Sequence, residues 1–113
     1  MNTKYNYQKA TLIKTDGTTE VLTPKNGKSF TYNEIREAIR PGCLIQPICL
    51  RYYRLYITNK EDLKMNFICD EEGGINGSPL NKEASDLLKS ILGPYAQDLY
   101  GNIIFLPNKL FRI

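Results

Sequence analysis

Residues 64–106, KMNFICDEEGGINGSPLNKEASDLLKSILGPYAQDLYGNIIFL, decide the fold. They read in order as strand, acidic turn, Gly-rich loop, amphipathic helix and strand. Met65, Phe67 and Cys69 alternate with Lys64, Asn66 and Ile68, the period-two pattern of a strand. Asp70-Glu71-Glu72-Gly73-Gly74 is a turn. Asn81 is the expected N-cap of the helix, and Glu83 in the first turn complements the helix dipole. Ala84, Leu87, Leu88, Ile91 and Leu92 recur at i, i+3, i+4, i+7 and i+8, which makes one core-facing stripe. Gly93 and Pro94 stop the helix. Gly101-Asn102 opens a last strand, Ile103 to Leu106.

Upstream, Ala10 to Thr15 alternates as a strand, and Asp16-Gly17 is a hairpin signal. Thr18 to Thr23 returns as the second strand, closed by the turn Pro24-Lys25-Asn26-Gly27. Thr31 and Glu34 form a capping box for a first helix, with Phe30 and Ile35 at the staple positions. Its apolar stripe is Ile35, Ala38 and Ile39. Pro41 forces Arg40 out of helical geometry. Cys43 to Leu50 is almost continuously apolar, as expected of a strand buried on both faces. Pro47 cannot donate to a ladder, so it marks an edge or a bulge. Arg51 to Ile57, RYYRLYI, is a further β-favouring run. Tyr5 and Tyr7 are available to pack, and residues 109–113 form an apolar-basic tail. The sequence predicts an α+β fold in one domain, residues 1–113. Its elements are a mainly antiparallel sheet of about five or six strands and two helices on one face.

The chain has 113 residues, 42% hydrophobic and 24% charged, an ordinary globular composition. No apolar run approaches the roughly 18 residues of a membrane span. The polar N-terminus lacks the apolar core of a signal peptide. A cytoplasmic location with no membrane partner is therefore expected. The three cysteines, Cys43, Cys49 and Cys69, fit no zinc spacing and lie in apolar runs, so they read as buried free thiols. The net charge of +3 is uneven. Residues 1–60 carry ten Lys/Arg against four Asp/Glu, and residues 61–113 carry five against eight. A basic half attracts phosphate-bearing partners, but here the lysines are scattered.

The chain contains no histidine, which removes histidine acid–base and metal chemistry. It has no G-x-S-x-G, P-loop or G-x-G-x-x-G motif. Asp70, Glu71 and Glu72 are adjacent, and an acidic turn explains them without a hydrolytic role. No catalytic residue, metal site or cofactor is therefore expected. Two stretches remain as ligand candidates. The loop before the second helix offers Asn76, Ser78, Asn81 and Lys82 around free N–H groups that can hold an anion. The plain alternative is a connecting loop with an ordinary cap. The second stretch interleaves Arg51, Tyr52, Arg54 and Tyr56, as stacking on bases and pairing with phosphate would require. An ordinary exposed strand also accommodates these residues.

ATLIKTDGTTEVLTPKNGKSFTYNEIREAI (10–39), the strand 42–50, FICDEEGGINGSPLNKEA (67–84) and YGNIIFL (100–106) occur in this order. In this the chain resembles the family known as domain of unknown function 3846, found in bacteria and their phages. Pro79, Asn81 and Ala84 stand at the family's helix start. The chain departs from the family in the intercalated RYYRLYITNKED (51–62), which carries the Arg/Tyr cluster. The resemblance implies a small phage or mobile-element protein that acts by binding rather than catalysis. One expected role is sequestration of a phosphorylated nucleotide signal used in antiviral defence, in the host cell cytoplasm. The alternative is a protein–protein or nucleic-acid interaction module that inhibits a host factor. The apolar strand around Pro47 and the tail Leu110–Ile113 are candidate surfaces for a homodimer.

Overall fold

The two central strands of the sheet, β6 (Met65–Asp70) and β7 (Ile103–Pro107), are buried along their whole length. A strand can be buried this way only if both of its faces are covered. The computed structural model describes residues 5–49, 55–56, 62–63, 65–74 and 77–111. Within them β1 (Ala10–Ile13), β2 (Thr19–Leu22), β3 (Ile45–Cys49), β6 and β7 form one antiparallel sheet in the order β2-β1-β7-β6-β3. The two helices are α1 (Tyr32–Ile39) and α2 (Lys82–Leu92).

The α+β architecture with two helices and an antiparallel sheet is present, but the helices do not share a face. Ile35 and Ile39 of α1 pack with Ala10, Leu12, Ile68, Ile104 and Leu106. Ala84, Leu87 and Leu88 of α2 pack with Ile13, Met65, Phe67, Cys69, Ile103 and Phe105. The two sets alternate along β1, β6 and β7, so they lie on opposite sides of the sheet. The result is a helix–sheet–helix sandwich with two apolar layers. α1 carries the chain from edge strand β2 to the opposite edge β3, while α2 joins the neighbours β6 and β7. Helical periodicity identifies the apolar stripe of each helix but not which side of the sheet receives it.

Pro47 lies in β3, an edge strand, opposite Ile68. The edge tolerates proline because one side of the ladder is open. Of the run 51–57 only β4 (Leu55–Tyr56) is described, and that part does not extend the sheet. It pairs with β5 (Asp62–Leu63) in a separate two-stranded ladder. The rest of the run lies outside the described residues. Tyr5 and Tyr7 are buried and meet the edge of Phe105 at ring-centroid distances of 5.9 and 5.8 Å. Leu110 and Phe111 pack on the α1 side, and Phe30 N–H donates to the Leu110 carbonyl at 2.7 Å.

Local signals set the helix starts. Thr31 Oγ1 accepts from Glu34 N–H at 3.2 Å, and Glu34 Oε1 accepts from Thr31 N–H at 2.9 Å, completing the capping box. Asn81 caps α2 by accepting from Ala84 N–H at 2.9 Å. Its amide nitrogen also donates to the carbonyls of Ile13 at 2.9 Å and Gly101 at 2.8 Å. Ser85, one turn on, accepts from Leu99 N–H at 2.8 Å and donates to the Leu99 carbonyl. The first turn of α2 is thus tied to the end of β1 and to the segment entering β7.

Asn81→Ala removes a cap and leaves two interior carbonyls without donors. It should cost roughly 3–5 kcal/mol in urea unfolding. Asn81→Asp keeps the cap but sets a carboxylate against both carbonyls, so it should be no better tolerated. A loss within experimental error for either variant would show that the network carries little of the stability.

A polar cleft at the end of the sheet

The end of β6 brings the two helical layers together. The first helix stops at Arg40, whose backbone is extended ahead of Pro41 and whose N–H still bonds to the Arg36 carbonyl at 2.9 Å. That stop aims the Arg40 side chain at Asp70, the last residue of β6. Arg40 Nε donates to Asp70 Oδ2 at 2.7 Å. The Asp70 side chain is 3% exposed and that of Arg40 46%, so a buried carboxylate anchors a half-exposed guanidinium. Among the described residues this is the one side-chain bond Arg40 makes, and its two terminal nitrogens are left for another partner.

The Gly-rich loop supplies the facing wall. Asp70 Oδ1 accepts from Glu72 N–H at 3.0 Å, and Gly73 N–H returns to the Asp70 carbonyl at 3.1 Å. Ser78 N–H then bonds to the Gly73 carbonyl at 2.9 Å, which folds the loop back on itself. An added Cβ at Gly73 would stand 3.1 Å from the Tyr100 carbonyl oxygen, a tight approach that favours glycine there. Across from the loop, Asn102 Oδ1 accepts from Thr15 N–H at 3.4 Å. The space enclosed is about 220 Å³, lined by Thr15, Arg40, Asp70, Ser78 and Asn102 with apolar sides from Ile39 and Pro79.

Burial pushes the Asp70 carboxyl up, but hydrogen bonds from the Arg40 guanidinium and Glu72 N–H outweigh it. They hold Asp70 below the usual carboxylate range. The same bond pushes Arg40 further up. Both groups stay charged at neutral pH. Burial raises the Cys43 thiol, and it carries Cys69 to about 11. These two cysteines are free and buried, while the Cys49 side chain lies outside the described residues. Among the described residues no group of three metal-ligating side chains forms. No helix there is long and apolar enough to cross a membrane.

The candidates read from the sequence fall in different places. Ser78 lines the cleft. Asn81 is fully buried beneath it, with both ends of its amide bonded to the protein, and offers nothing to a ligand. Lys82 is exposed and pairs with Asp86 one turn along the helix at 2.7 Å. Asn76, Arg51, Tyr52 and Arg54 lie outside the described residues, as does the Tyr56 side chain. Sequence reasoning missed Arg40, Thr15 and Asn102. The available signal was the Arg40-Pro41 stop, which orients an arginine at a helix end. A larger groove of about 510 Å³ runs between Leu22, Phe30 and Ala38. Its Thr31 and Glu34 are engaged in the capping box, and Thr23, Lys25, Asn26, Asn33 and Glu37 also line it.

No family model, curated protein or solved structure matches this chain. The resemblance drawn above rests on the quoted residues alone.

The depressed Asp70 value has a signed consequence for stability. Its folded value lies below the unfolded one, so its contribution is complete above the unfolded value of about 3.9 and disappears as pH falls through the folded value. The stability advantage of the native protein over Asp70→Asn should shrink between about pH 5 and about pH 2 in denaturant titrations. Asp16 and Glu34 are also held low but are common to both proteins, so the difference isolates Asp70. A pH-independent gap would refute the assignment.

Proposed function

We propose that this protein binds a small phosphorylated ligand of nucleotide type at the Arg40 cleft and holds it without transforming it. The observation that carries this reading is the anchored guanidinium. A buried carboxylate fixes Arg40 through Nε, and the terminal nitrogens face no described protein partner. A planar fork held in this way is suited to phosphate oxygens, which it bonds in pairs. Thr15, Ser78 and Asn102 add neutral polar groups at the same opening.

The chemistry of the cleft favours binding over turnover. Asp70 is held ionised by its hydrogen bonds and is a weak base at neutral pH. The chain has no histidine to move a proton. Sequestration of a signalling nucleotide by a phage or mobile-element protein is the biological role that the family resemblance adds to this reading.

Isothermal titration with AMP, ADP-ribose and a cyclic dinucleotide tests the reading. At least one should bind saturably, with the ligand recovered unchanged. Arg40→Ala should weaken binding by about tenfold or more, the value of a charge-assisted hydrogen bond. Lys82→Ala, with its charge paired on the outer face of α2, should leave affinity unaltered. Absence of heat for every compound at millimolar concentration would sink the proposal.

A further inference from the structure

The dimensions and lining of the Arg40 cleft define which part of such a ligand enters it. We infer that the cleft is a sugar-phosphate site: the phosphate sits on the Arg40 guanidinium, the sugar hydroxyls meet Thr15 and Ser78, and any base stays outside. This rests on the reading of the cleft as a phosphate site.

Three observations carry it. The first is volume. Pockets that enclose drug-sized molecules begin at roughly 300 Å³, and this cleft holds about 220 Å³. A cleft below that range suits a compact polar group better than a whole nucleotide. The second is the lining, which among the described residues contains no aromatic ring on which a base could stack. Tyr100, two residues before Asn102, has its ring 3.6 Å from where a Cβ on Gly74 would stand, and it lines a separate hollow with Gly74 and Leu99.

The third is the polar set. Hydroxyl groups both donate and accept, and so do the side chains of Thr15 and Ser78, two of the residues that line the cleft. Asn102 has its oxygen engaged by Thr15 N–H, so its amide N–H groups are the end available to a ligand oxygen. Asp70 has an oxygen on Arg40 and an oxygen on Glu72 N–H. One cation, anchored by a carboxylate whose two oxygens are both engaged, and several neutral polar groups match a single phosphate attached to a polyhydroxyl body.

Calorimetric titration of the full chain with ribose 5-phosphate, AMP and inorganic phosphate tests the inference. Ribose 5-phosphate should bind within about threefold of AMP and about tenfold more tightly than inorganic phosphate, the gain of one or two hydrogen bonds. Thr15→Val and Ser78→Ala should each weaken ribose 5-phosphate while leaving inorganic phosphate unchanged. Inorganic phosphate also reports whether each variant retains a folded cleft. AMP binding more than tenfold tighter than ribose 5-phosphate would show that the base is read and would overturn the sugar-phosphate assignment alone. Equal affinity for ribose 5-phosphate and inorganic phosphate would do the same. Failure of all three probes would overturn the phosphate reading beneath it as well.

Discussion

The amide of Asn81 is the contact on which the arrangement depends. It is fully buried and reaches three separate parts of the chain: the first turn of α2, the last residue of β1 and the residue that turns the chain into β7. A buried amide with its donors and acceptor engaged fixes orientation as well as position, because any rotation leaves polar groups unpaired in a low-dielectric interior. Ser85 repeats the connection one turn later, at Leu99. The interior apolar layer could form with α2 shifted along the sheet, but these bonds remove that freedom.

The cleft follows from this constraint. With α2 locked to β1 and β7, the segments 78–79 and 101–102 stand side by side at one end of the sheet; Gly101 N–H bonds to the Pro79 carbonyl at 2.8 Å. The α1 layer then contributes Arg40 from the other face. Helices on one face would leave Arg40 and the Gly-rich loop with no common boundary. On opposite faces they meet at the end of β6, where Asp70 bonds to both. The ion pair is thus a consequence of the layer order. It also gives the guanidinium a fixed orientation, a precondition for binding that does not have to order the side chain first.

Local chemistry was well legible. The capping box at Thr31 and Glu34, the hairpin turn at Asp16-Gly17, the stripe of α2 and the edge position of Pro47 depend on residues close in sequence or on a property of one residue. The N-cap of Asn81 was legible for the same reason. Its amide nitrogen was not, because its acceptors lie 68 and 20 residues away and are backbone carbonyls, which leave no mark in side-chain sequence. The loop ahead of α2 was read as a candidate anion-binding loop; of its four named residues Ser78 lines the cleft, Asn81 is buried, Lys82 pairs with Asp86, and Asn76 is outside the described residues.

The sequence by itself determined the two helices with their caps and apolar stripes and the main strands of the sheet, since these follow from backbone propensities, caps and periodicity within a dozen residues. Only the tertiary structure decided that the helices cover opposite faces. An apolar stripe is equally satisfied by either side of a sheet whose central strands are apolar on both. It alone decided that Arg40, thirty residues from Asp70, would be the cation beside the Gly-rich loop. A salt bridge between charges so far apart is set by how the layers stack, and no local rule connects them.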